Sequence, residues 1–191
     1  MEKAAISGCL FNFEYSMMGV CIMPQTKTRE MALTAMLAAV AVVGGMFIVI
    51  PTPFARCVPV QHLVNVLCAV LLGPKCGVTA AFLASTIRNI LGIGTLVAYP
   101  GSMCGAFLSA FLYQRTHSLM AAVLGEIIGT GIIGALLAYP VSAFLLGNAS
   151  LALYAFIVPF LVSTGAGALA AGALLYGMEK SGVLSKLSAD R

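Results

Sequence analysis

The chain has 191 residues, of which 61% are hydrophobic and 8% charged. A soluble domain carries about 25% charged residues, so this composition excludes one. The net charge of +4 sits on basic residues at loop positions, where it marks topology rather than a nucleic-acid surface.

Residues 1–26 are expected to be a poorly ordered cytoplasmic leader. Glu2, Lys3 and Glu14 interrupt any apolar run, and no basic stretch precedes a hydrophobic one as in a signal peptide. Met23 offers an alternative start. The first helix is predicted over Met31–Ile50. Within it Ala35 and Ala39 stand four apart, flanked by Ala32, Ala38 and Val42. Small residues at that spacing admit a second helix closely, within the protein or, on an exposed face, from a docking partner.

The prolines of PTPFARCVP cannot continue a helix. A short second helix is predicted over Val60–Leu72 and carries Gln61, His62 and Asn65. Spacings of three and four residues put these side chains on one face. His62 alone would read as a cap or an interfacial residue. With Gln61, Asn65 and the proline-rich loop it reads as part of a cluster facing a ligand.

After Gly73-Pro74-Lys75 a third helix runs to about Leu91, with Ser85, Arg88 and Asn89 on one face. GIGTLVAYPGS is a glycine-rich break. The fourth helix is predicted over Gly101–Tyr113, the fifth over Ser118–Leu145 and the sixth over Ala152–Met178, followed by a cytoplasmic tail at 181–191. The fold class is all-α: a polytopic membrane protein with six transmembrane helices over residues 27–180. The runs are continuous and lack the alternation of barrel strands.

An even number of helices puts both termini on one side. Lys27, Arg29, Lys75, Arg115, Lys180 and Lys186 fall on that side, and only Arg56 and Arg88 fall toward the other. Basic residues accumulate in the cytoplasm, so both termini are expected there, in the cell membrane, with Gln61 and His62 at the outer mouth. LVAYPGS at 96–102 and LLAYPVS at 136–142 echo each other. Tyr99 and Tyr139 then read as interfacial residues beside bending prolines, or as two walls of a shared cavity.

Glu126 is the one acid between Met31 and Met178, and Arg88 the base deepest in an apolar run. Intramembrane charges are costly and face a partner or a cavity. Two readings stay open: Arg88 and Glu126 pair, despite unequal depths along their helices, or they line a substrate pocket. Glu126 and Thr130 share a face beside Gly125 and Gly129, a GxxxG spacing that usually marks close helix packing.

No GxxxxGKS/T phosphate loop, HExxH or GxSxG occurs, and the single aspartate is Asp190. The chain therefore cannot drive itself with ATP, and no enzyme activity, metal or cofactor is expected. The six cysteines are scattered singly and read as free thiols. Without tryptophan, ring stacking falls to Phe or Tyr.

PVQHLVNVLCAVLLGP, STIRNILGIGTL, YPGSMCGAFLSAFLY and LGEIIGTGIIGALLAYPV resemble the substrate-binding S components of energy-coupling factor (ECF) vitamin transporters, and most closely their thiazole-specific ThiW subfamily. The resemblance spans about residues 28–178. It implies capture of a vitamin precursor from outside, hydroxyethylthiazole for this subfamily, and docking on a membrane T component with a pair of ABC-type ATPases. It implies a site toward the outer face under a first-loop lid, where Phe54, Arg56, Gln61, His62 and Asn65 fall, with Arg88, Asn89, Glu126, Tyr99 and Tyr139 as further candidates. Ala35 and Ala39 match the family's docking stripe. The alternative reading is a small proton-coupled transporter titrating Glu126, independent of ATPases.

Overall fold

The computed structural model describes residues 25–51, 56–145 and 155–184. Of the sequence expectations, the leader (apart from its last two residues), Phe54 and the tail beyond residue 184 lie outside these segments. Helix α1 (Gln25–Phe47) is followed by a minimal hairpin of β1 (Ile50–Pro51) and β2 (Arg56–Cys57), antiparallel with Ile50 opposite Cys57. Then come α2 (Pro59–Leu71), α3 (Pro74–Ile90), α4 (Ala98–Thr116) and α5 (Leu119–Ile128). A π-helical segment (Gly129–Gly134) joins α5 directly to α6 (Ala135–Leu145), and α7 (Ile157–Lys180) follows. Counting α5, the π segment and α6 as one rod gives the six expected membrane helices.

Among the described residues three rods are long and apolar enough to cross a bilayer: Lys27–Phe47, Leu119–Phe144 and Ile157–Lys180. By contrast α2, at 13 residues, reaches only about 20 Å at 1.5 Å per residue. Proline starts both α2 and α3, where its missing N–H costs nothing. Between them Gly73 takes φ +84°, a conformation glycine adopts without strain.

Helix α2 packs against α1, α3, α4, α5 and α7. Its sequence has three buried faces. Val64 and Cys68 join Ala38, Ala41 and Val42 of α1 and Ala80 and Ala84 of α3. Val66, Leu67 and Val70 join Ala122 and Val123 of α5 and Ala168, Ala171 and Leu175 of α7. Gln61, His62 and Asn65 form the third face. The outward surface of the bundle is apolar: Met36, Phe47, Ile90, Phe144, Val158 and Leu169 are all exposed. Lipid contact accounts for that pattern.

Candidate functional site

The polar face of α2 meets α3 on one side and α5 on the other, and it divides two buried charges between them. Arg88 of α3 is 3% exposed and Glu126 of α5 is 0% exposed. They do not pair with each other. Arg88 Nη1 donates to Gln61 Oε1. Glu126 Oε1 lies 2.9 Å from His62 Nδ1, 3.0 Å from Asn65 Nδ2 and 3.0 Å from Thr130 Oγ1. The physical reason is the shortness of α2: starting at Pro59 below the hairpin, it places successive polar residues at the depth of each charge and intercepts both.

From Arg88 the hydrogen bonds run in one direction. Gln61 Nε2 donates to Ser85 Oγ over 3.0 Å, Ser85 Oγ lies 3.1 Å from Ser102 Oγ, and Ser102 Oγ donates to the Ala98 carbonyl over 2.9 Å. Because the Ser102 proton is engaged there, Ser85 is the donor to Ser102, and the Gln61 amide is fixed with its oxygen toward Arg88. A carboxylate only accepts, so His62 donates from Nδ1 to Glu126. Glu126 thereby sets the ring's orientation and leaves Nε2 without a partner among the described residues. Asn65 Nδ2 also reaches the Ser102 carbonyl, at 3.3 Å, which joins the two halves of the network.

The Glu126 side chain fits because α4 offers no side chain opposite it. A Cβ on Gly105 would overlap Thr130 Oγ1 and come within 2.7 Å of Glu126 Oε2. The GxxxG pair does the same for the backbones: Cβ atoms on Gly125 and Gly129 would fall 2.7 Å from Ser109 Cα and 2.8 Å from Gly105 Cα. Thr130 itself sits in the π segment, with Oγ1 3.0 Å from the Gly101 carbonyl as well as from Glu126. A π turn shifts side-chain register at a functional position.

Above this network lies a small cavity with an open mouth. Gln61, His62, Arg88, Ser102 and Thr130 line it, with Arg56, Cys57, Thr95, Phe160 and Ser163 contributing from the hairpin, the α3–α4 loop and α7. It lies at the end of the bundle where α1 finishes and α2 begins, opposite the ends of α1 and α7 nearest the chain termini.

The sequence candidates divide as follows. Gln61, His62 and Arg88 line the cavity, and Asn65 and Glu126 stand beneath it as the groups that hold His62. Asn89 Nδ2 reaches the Ser85 and Thr95 carbonyls, at 2.8 and 3.4 Å, tying the end of α3 to the following loop. Tyr99 and Tyr139 are not in the lining. Since α4 begins at Ala98 rather than Gly101, Tyr99 joins its first turn and turns to α3, where its hydroxyl meets Thr86 Oγ1 at 3.1 Å and its ring packs on Phe82 at 5.7 Å. Ala98, Gly101 and Ser102 of the same L-x-A-Y-P-x-S echo line the cavity instead. Phe160, Ser163 and Thr95 escaped the sequence reading; a lone serine or phenylalanine in an apolar run carries no signal above background. Ala35 and Ala39 are exposed, while Ala38 and Ala41 are the buried alanines of α1. Among the described residues no three His, Cys, Asp or Glu side chains converge as metal ligands.

A bundle of long apolar helices around a buried, polar-floored cavity places the chain among helical membrane proteins. The family model described as thiamine-precursor transporter protein (ThiW) matches residues 31–181. The chain belongs to the ThiW family. No curated protein and no solved structure matches it.

Proposed function

We propose that the chain is the substrate-binding S component of an ECF-type importer and that its cargo is hydroxyethylthiazole. The observation that carries this reading is the pairing of His62 with Glu126 beneath the cavity. It presents an oriented imidazole, Nε2 unbonded, to whatever enters. A hydroxyl on the cargo donates to Nε2, Gln61 and Ser102 supply further polar groups, and Phe160 offers the ring face that a heteroaromatic compound stacks on. Gln61, His62 and Arg88 touch cargo in this reading, and Asn65 and Glu126 are positioning residues.

The cavity end is the extracellular one, both termini are cytoplasmic, and the hairpin roofs the entrance. The basic residues at the opposite end support that orientation. The exposed Ala35 and Ala39 are the approach surface for a T component, and ABC-type ATPases supply the energy that a chain without a phosphate loop cannot. Calorimetry on purified protein tests the cargo: hydroxyethylthiazole should bind more tightly than the pyrimidine precursor or thiamine itself. Uptake in cells with and without T and ATPase subunits tests the assembly. Full uptake without them would favour a proton-coupled transporter titrating Glu126.

A further inference from the structure

Among the described residues Arg88 is a buried cation without a counter-charge. Glu126 turns its Oε1 to His62, Asn65 and Thr130 and makes no hydrogen bond to Arg88. Of the chain's other acids, the described ones are Glu30 and Glu179, which lie at the ends of α1 and α7 remote from the cavity. A guanidinium has five N–H donors. Among the described residues only Nη1 is bonded, to a neutral amide oxygen, and Nε is buried with no acceptor. An uncompensated buried charge is strongly destabilising unless something else neutralises it.

Two neighbours point the same way. Arg56 lines the same cavity, and among the described residues its one side-chain hydrogen bond is from Nη1 to the Ile93 carbonyl, at a long 3.4 Å. Ser163 also lines it, is 3% exposed, and its Oγ has no partner. No acid lines the cavity. Its wall therefore shows an entering molecule two guanidinium groups and an unbonded hydroxyl, with nothing negative against them.

We propose that the cavity contains an oxyanion subsite centred on Arg88 and completed by Arg56 and Ser163. Its ligand is a phosphate or carboxylate group, which the planar arginine fork is shaped to grip. The source rests on the cargo reading above: the oxyanion is carried by the cargo, as in the phosphate ester of the thiazole alcohol, or is a free inorganic anion bound beside a neutral cargo.

The test is calorimetry on the full chain in a buffer free of oxyanions, with the thiazole alcohol alone, the alcohol plus inorganic phosphate, and the phosphate ester. The expected result is that the ester binds at least about tenfold tighter than the alcohol, or that phosphate tightens the alcohol by that factor, about 1.4 kcal/mol. The first outcome assigns the oxyanion to the cargo and the second to a co-bound anion. Arg88→Gln should abolish the difference and Arg88→Lys should keep part of it; if the glutamine variant does not fold, Ser163→Ala and Arg56→Gln should each reduce the difference severalfold. An alcohol indifferent to phosphate, with an ester no tighter, overturns the proposal. Should neither thiazole compound bind, the cargo reading fails, and phosphate titration followed by thermal stability decides the subsite. Saturable stabilisation that Arg88→Gln removes upholds it, and no stabilisation of the unmodified protein overturns it.

Discussion

A double-mutant cycle on His62 and Glu126, run beside one on Arg88 and Glu126, separates the arrangement seen here from direct pairing of the two charges. His62 Nδ1 stands 2.9 Å from a fully buried carboxylate oxygen, and a hydrogen bond to a charged group contributes about 1.5–3 kcal/mol net. Glu126→Gln keeps an acceptor at Oε1 but places an amide at Oε2, where no acceptor waits. That alone costs about 1–3 kcal/mol. His62→Ala removes the donor. The pair should therefore be non-additive by about 1.5–3 kcal/mol. Arg88 bonds Gln61 and does not touch Glu126; the two are joined only through Gln61, Ser85, Ser102 and Asn65, so their coupling should be clearly smaller than that of His62 with Glu126. Thermal or denaturant unfolding of the unmodified protein and the five variants in detergent, without cargo, gives both coupling energies. An Arg88–Glu126 coupling as large as the His62–Glu126 one would refute the division of charges by α2.

Glycine substitutions offer a matched contrast. Gly105→Ala puts a methyl onto Thr130 Oγ1 and against Glu126 and should lower stability by about 1–3 kcal/mol, whereas Gly165→Ala in α7, with nothing within 4 Å, should hold or raise the melting temperature. His62→Ala should weaken cargo binding about tenfold, since one hydrogen bond to a desolvated ligand contributes about 1–2 kcal/mol; unchanged affinity by calorimetry would return His62 to a structural role. Asn65→Ala should lower affinity and stability together, because its amide bonds the carboxylate beneath the cavity. Ala35→Leu with Ala39→Leu should leave binding intact and abolish uptake, as two isobutyl groups fill an exposed small-residue face; wild-type uptake would remove the docking assignment.

The helices were legible because apolar runs punctuated by proline and glycine carry both their number and their order. The polar face of α2 was legible because three polar residues at helical spacing stand out in such a run. The fate of Arg88 and Glu126 was not. Depth counted along separate helices says nothing about a third helix whose side chains come between them, and α2 is that helix. The π segment was also hidden, since Gly129, Gly131 and Gly134 read equally well as packing glycines in a regular helix. Tyr99 stands apart from the cavity because proline is tolerated in a first turn, where no carbonyl awaits its N–H, so α4 begins at Ala98, three residues before the glycine of YPGS, and carries the ring toward α3. The hairpin came from pairing across a proline-rich loop, where propensity favours no strand.

The shortness of α2 bears on how the protein is made. A segment of 13 residues cannot bridge a hydrocarbon layer of about 30 Å, and Gln61, His62 and Asn65 make it a poor substrate for direct partition into lipid. Its stability in the membrane is borrowed from α1, α3, α4, α5 and α7, and α5 and α7 emerge from the ribosome after it. Insertion and folding therefore cannot be separate stages for this helix. It must wait at the membrane surface or the translocon until Glu126 and the alanines of α7 have arrived, so a chain truncated before α7 should leave α2 accessible to protease or to thiol reagents at Cys68.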